Sequence, residues 1–429
     1  MDITDKSKPD MDEFWNWLVQ INNIHELWDR HPTYLLVQAA YLFGALMTLL
    51  HAHFSKGRWM LFWCGTLCHG LVIEALCFFL PEDVADNYWH SQTPVIFLGG
   101  RLPLHIVVLY PCFYYQATAA VNKFRFSILA EPFAVALLVL LQDIPYDIVG
   151  VKFINWTWHD TDPNIFDRTY WVPWNSYFFH LTFSASYTFW FHWLRLRMGR
   201  SGDRRRGKEV SKKWRDTKWE LGRVSTEIMS FLLSSLLGVV GGTVWFMIIY
   251  HPLHDILGVP TEVCFFALLA MFCLIVLRAL VFGGANENLC RVVRTRDFLL
   301  LIHLIVHYSI FLLLTIFAHP ENEIAIGYHE QVGPCNETVQ FPSVVGKLLT
   351  KQKYLCLTDY DEKYFDFHCT PSPPLSYTKW YQICGTPFPN RAEYIVIVAI
   401  PAVMALFVFG SIYSGQKTER RKQVKVKGK

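Results

Sequence analysis

Nine side chains stand out in this 429-residue chain because ionisable or strongly polar groups interrupt long apolar runs. His69 and Glu74 share one run, and Arg101 and His105 share the next. Glu131, Asp143 and Asp147 fall in a third, while Asn175 and His180 open a fourth. Each such group costs about 2.5–3.5 kcal/mol at a bilayer centre, so it usually faces a protein interior or a cavity. Arg101 and His105 are four apart, as are Asp143 and Asp147. Each pair is therefore expected on one face of a helix.

Several carboxylates in a low dielectric do not all ionise, so one is expected to keep its proton. A protonated carboxyl beside apolar surface is a general acid that can protonate an alkene or a lipid leaving group. Glu74, Asp143 and Asp147 are the acid/base candidates. Arg101 can neutralise a carboxylate or grip an anionic headgroup bidentately, and with His105 it would set their protonation. The competing reading is an ion-paired network that holds four helices in register. No metal and no cofactor are expected. The histidine pairs His51/His53, His251/His254 and His303/His307 do not converge on one membrane face. His303 and His307 could hold an ion, but packed core histidines account for them better. The chain has no glycine-rich phosphate loop, no nucleophile elbow and no nucleic-acid signature.

These residues need helices that cross a membrane. The chain is 52% hydrophobic and 17% charged, with 16 Trp, whereas a soluble chain carries about 25% charged residues. Runs of about 20 apolar residues suffice to span a bilayer. They occur at Tyr34–Phe54, Trp59–Leu80, Pro94–Val121, Phe126–Val149, Trp174–Leu196, Ile228–Tyr250, Thr261–Gly283, Phe298–His319 and Ala392–Tyr413. The expected fold is thus all-α, a polytopic bundle of about nine spans. The third and fourth runs are the most polar, and a re-entrant third or fourth run would change the count.

Orientation follows from the basic residues. Arg195–Arg223 holds twelve Lys/Arg against four Asp/Glu and is expected in the cytosol. That places the N-terminus on the luminal or outer side and the tail in the cytosol. Residues 320–391 then face the lumen with Cys335, Cys356, Cys369 and Cys384. Four cysteines in an oxidising compartment suggest two disulfides, with three connectivities open. Asn336 and Asn155 begin glycosylation sequons on the same side.

The chain divides into residues 1–33, luminal with an interfacial helix; 34–196, spans one to five; 197–227, basic and cytosolic; 228–319, spans six to eight; 320–391, luminal; and 392–429, the last span and tail. Within 11–30, Phe14, Leu18, Ile21, Leu27 and Trp28 recur at near-helical spacing, as in a helix lying on the membrane surface. The segment 199–220, with Trp214 and Trp219, reads either as lipid-headgroup contact or as a solvated basic linker. Lys425 and Lys427 match a dilysine retrieval signal, which a basic tail also produces by chance. The sequence points to the endoplasmic reticulum or another secretory-pathway membrane, with the plasma membrane as the alternative.

Asp143-Ile-Pro-Tyr-Asp147, Asn155-Trp-Thr-Trp158 and Trp171-Val-Pro173-Trp-Asn175 resemble the bacterial carotenoid hydratases of the CruF type, and His69-Gly70 with Glu74 resembles that family's earlier His-Gly…Glu segment. The resemblance covers residues 69–180. It implies a membrane-embedded site that adds water across an isoprenoid double bond. Glu74, Asp143, Asp147 and Asn175 would form the site, and Trp156 and Trp158 would line its luminal mouth. The whole chain also looks like an animal multi-pass family of unknown function.

The expected function is acid–base chemistry on, or binding of, an isoprenoid or other lipid. Glu74, Asp143 and Asp147 would be catalytic, and His69, Arg101, His105, Trp156, Trp158, Asn175 and His180 would bind substrate. The alternative is a transporter, channel or accessory subunit that uses the same network structurally. Expected partners are the bilayer, a lipid ligand and a protein docking on residues 320–391, with no nucleic acid.

Overall fold

The computed structural model describes residues 11–80, 88–124, 126–158, 166–198, 218–282, 296–343, 345–360 and 362–413. The core of the basic segment and the Lys425/Lys427 motif lie outside the described residues. Helices dominate: α1 Met11–Leu18, α2 Ile24–Arg30, α3 Pro32–Ser55, α4 Trp59–Phe79, α5 Leu104–Val121, α6 Glu131–Lys152, α7 Trp174–Met198, α8 Val224–Ile256, α9 Thr261–Phe282, α10 Asp297–Phe317 and α11 Arg391–Tyr413. Eight of these are long and apolar enough to cross a membrane. The run expected at Trp174–Leu196 is the 25-residue α7, which falls outside the eight. It is long enough, but Ser176, His180, Thr182, Ser184, Ser186, Thr188 and His192 are buried along it. Their polarity lowers its hydropathy and equips it for the bundle interior.

Turn chemistry sets the helix ends. Pro32 opens α3 at a position where its missing N–H is no loss. Lys56 and Gly57 then stop α3 with positive φ. A Cβ on Gly57 would sit 2.2 Å from the Trp219 carbonyl oxygen, so only glycine fits there. α5 starts ten residues later than the Pro94 boundary expected from hydropathy, because Val95–Phe97 and Leu102–Pro103 pair as strands instead. Val19–Ile21 joins the same sheet. It divides the expected 11–30 surface helix into α1 and α2, leaving Ile21 exposed and Leu27 buried.

The bundle is uneven. In α5 and α6, 83% of the spanning window is buried inside the protein, against 17% in α9. α5 and α6 are the hub; α7 packs on α6 and α8, and α10 packs on α3 and α11. Two prolines mark the hub. Pro111 opens a wide π-type turn in α5, and Pro145 sits inside α6.

The ends of the bundle differ. One end carries a cap of short strands, so the fold is mostly, not wholly, α-helical. Strands Phe365–Asp366, Trp380–Gly385 and Ile324–Tyr328 form one sheet. Tyr88–His90 pairs with Trp156–Trp158, and a Ser91–Gly327 bridge ties the two together. The disulfides Cys335–Cys356 and Cys369–Cys384 staple this cap. At the opposite end Arg58 is fully buried and donates to Glu227 at 2.6 Å. Lys218 donates to both oxygens of Glu131 at 2.6 Å, and Trp219 stacks on Trp59 at 3.6 Å. Lys218 and Trp219, at the described end of the basic segment, are thus packed into the bundle, while residues 220–225 are exposed.

Candidate functional site

α6 begins at the Arg58 end, and Asp143 stands twelve residues along it, roughly 18 Å of helix rise. α7 runs the opposite way and brings in His180. Its Nε2 lies 3.0 Å from Asp143 Oδ1. The two side chains are in close contact without a hydrogen bond: both Asp143 oxygens and His180 Nδ1 lack a hydrogen-bond partner. Asp147, one turn on, accepts the Ser176 hydroxyl at 2.6 Å. Oxygen or nitrogen atoms of Asp143, Asp147 and His180 all lie within 4.8 Å of one another. Asp143 is 0%, Asp147 3% and His180 8% exposed. These three could hold a metal ion, a set that sequence reading missed because its members lie on two helices.

Pro145, between the two aspartates, shapes this turn. It has no N–H for the Leu141 carbonyl, and Tyr308 of α10 donates its hydroxyl to that carbonyl at 3.1 Å. His307 Nε2 donates to the adjacent Gln142 carbonyl at 2.9 Å. His303 Nδ1 lies 3.4 Å from Gln116 Oε1. The His303/His307 pair therefore braces the hub and is satisfied by it. Aromatic rings close the surroundings. Phe113 packs on His180, and Tyr146 packs between Tyr41 and Trp156. Trp156 presses so closely on α6 that a Cβ on Gly150 would lie 2.2 Å from its ring.

The remaining expected site residues separate into other groups. Glu74 accepts the hydroxyls of Tyr110 at 2.9 Å and Tyr88 at 3.1 Å. It lines a small cleft with Phe78, Tyr88, His90 and Arg101. The cleft, about 20 Å³, has room for roughly one water molecule. Arg101 lies over the Trp89 ring at 3.6 Å. Arg101 precedes the strand Leu102–Pro103, so it does not share a helix face with His105 as expected. His105 is fully buried on α5 with neither ring nitrogen hydrogen-bonded, edge-on to Tyr34. His69 Nδ1 meets the Ser235 carbonyl at 3.0 Å, and the ring stacks on Tyr187. Asn175 hydrogen-bonds Tyr250 of α8. Trp158 is half-buried against Tyr88. Glu131 belongs to the Lys218 pair. Of the two sequons, Asn336 is exposed and has room for a glycan, whereas Asn155 is 1% exposed.

Titration in the cap is shifted by burial. His90 is pushed down to about 3 by burial and then by the Arg101 charge. Burial lowers His329 to about 3 and His31 to about 4. It raises Glu323 to about 7, partly offset by neighbouring Thr33 at the start of α3. Between about pH 4 and 7 the His31–Glu323 contact at 3.8 Å therefore joins two neutral groups.

A family model described as a domain of unknown function (DUF7802) matches residues 2–414. No curated protein and no solved structure matches the chain. The resemblance to carotenoid hydratases over residues 69–180 has no counterpart among these matches.

Proposed function

The chain belongs to the DUF7802 family, and from that premise we propose that it is a membrane-embedded acid–base catalyst acting on an isoprenoid or another lipid. The observation that carries the reading is the Asp143–His180 contact. A buried carboxyl and an imidazole at 3.0 Å can pass one proton between them, and each keeps a free atom for a substrate or water. Asp143 would donate a proton to one alkene carbon. Water would add to the other carbon and return its proton to the His180–Asp143 pair. Asp147, held by Ser176, would stabilise the cation that forms between these steps. The aromatic surroundings and the bilayer itself suit an apolar substrate. Glu74 is fixed by two tyrosines and is a secondary candidate.

The reading places the disulfide cap in the lumen and the Arg58 end in the cytosol, with nine spans once α7 is counted and a secretory-pathway membrane as its home. Asn336 would carry a glycan, and the cap would be the surface for a protein partner. A transport reading has one supporting observation. His31, Tyr34, His105, Tyr41 and Tyr146 contact one another in series between the cap and the site.

The test is lipid profiling of cells expressing the wild type and Asp143→Asn at equal levels. A lipid that accumulates with one and not the other supports catalysis, and identical profiles overturn it. Proton flux into vesicles that is lost on His105→Phe would favour transport.

A further inference from the structure

We propose that Asp143, Asp147 and His180 bind a divalent metal ion of the first transition row. The site shares its residues with the acid–base reading but rests on separate observations: with the ion bound Asp143 is ionised, and metal-bound water rather than Asp143 would carry the proton.

The first part of that evidence is charge. Two carboxylates sit in the hub of the bundle, and neither pairs with a Lys or Arg among the described residues. Isolated carboxylates in such a place carry a large desolvation cost. Several other buried acids have Lys or Arg partners: Glu131 has Lys218, Glu227 has Arg58 and Arg195, and Asp297 has Lys123, whereas Asp255 and Glu323 each meet a histidine. Asp143 and Asp147 have only His180. A divalent cation with two carboxylates and a neutral imidazole makes a neutral set.

The second part is orphaned atoms. Both oxygens of fully buried Asp143 lack hydrogen-bond partners, as does His180 Nδ1. The Tyr177 hydroxyl, from the same helix as His180, is also buried and unpartnered, and it lies within electrostatic reach of both aspartates. Buried polar atoms are normally satisfied. A bound ion with its water would satisfy these together.

The third part is geometry. The 3.0 Å separation of His180 Nε2 and Asp143 Oδ1 matches the edge between two ligands about 2.1 Å from one ion at near right angles. Asp147 is already oriented by Ser176, the hydrogen-bonded support that metal-ligating carboxylates usually have. One nitrogen and two carboxylates suit Mn²⁺, Fe²⁺ or Zn²⁺ better than copper or a thiol-seeking ion. Three protein ligands leave positions for water, whose pKa such an ion lowers toward neutrality.

The direct test is Mn²⁺ binding to untagged full-length protein in nanodiscs, read by the loss of the free-ion electron paramagnetic resonance signal. One site per chain is expected, displaceable by Zn²⁺. Asp143→Asn and His180→Ala should abolish it, and Ser176→Ala should weaken it about 10- to 100-fold. Size-exclusion profiles matching wild type would show that the variants fold. Asp366→Asn serves as control for the exposed Asp366/His368 cluster and should change nothing. Absent stoichiometric binding, or binding unchanged in folded Asp143→Asn, overturns the metal site. If that occurs while Asp143→Asn still alters the lipid profile, the acid–base reading survives without a metal. If Mn²⁺ binds and the profiles are identical, the metal site stands alone.

Discussion

Tyr308 donates its hydroxyl to the Leu141 carbonyl at 3.1 Å, the acceptor that Pro145 leaves without its helical partner. One helix thereby repairs a defect in another, and the repaired turn is the one that presents Asp143 and Asp147. Tyr308→Phe keeps the ring and removes only the donor. A buried carbonyl left unsatisfied costs about 1–3 kcal/mol. Thermal unfolding in detergent should fall accordingly, and an unchanged midpoint would show that the carbonyl finds another partner.

Glu323 gives a pH signature from the cap. Folded Glu323 takes up its proton below about pH 7, whereas the ordinary value is 4.5. The native state thus binds more protons than the unfolded state between those values, and stability falls as pH rises through the window. The full effect is on the order of 3 kcal/mol. Glu323→Gln stays neutral, so its stability relative to wild type should rise between about pH 5 and 7.5. Burial of His31, His90 and His329 as neutral rings acts in the opposite sense. Their contribution is lost as pH drops below 6.5, and Glu323→Gln should leave that acid limb intact.

Gly150 lets Trp156 lie against α6. A Cβ there would be 2.2 Å from the indole, so Gly150→Ala must displace the ring or the helix. Overpacking of this kind costs about 1–3 kcal/mol or more. The expected result is a lower melting point together with changed tryptophan fluorescence. An unaltered spectrum would mean that Trp156 does not close the site in solution.

Much of the frame was legible in the sequence because it depends on local patterns. Most apolar runs became helices with boundaries close to those expected: α4 begins at Trp59 as read, and α11 reaches Tyr413 as read. The four cap cysteines pair, and Asp143 and Asp147 share a helix. What escaped depends on long-range register. Arg101 and His105 look like a helical pair until Leu102–Pro103 is recruited into a strand by Val95–Phe97. Lys218 reaches back to Glu131 across 87 positions, which no spacing rule suggests. The meeting of His180 with Asp143 requires the crossing register of α6 and α7. The same holds for Tyr308 and Leu141, 167 positions apart.

The most direct measurement of the central claim is deuterium incorporation. Purified protein reconstituted with extracted membrane lipid would be incubated in deuterated water, and the lipids analysed by mass spectrometry. Proton transfer from Asp143 to carbon should leave deuterium in a carbon–hydrogen position of one lipid species, with wild type and not with Asp143→Asn or His180→Ala. Deuterium absent from every species, or present equally with all three proteins, would contradict an acid–base role for the pair.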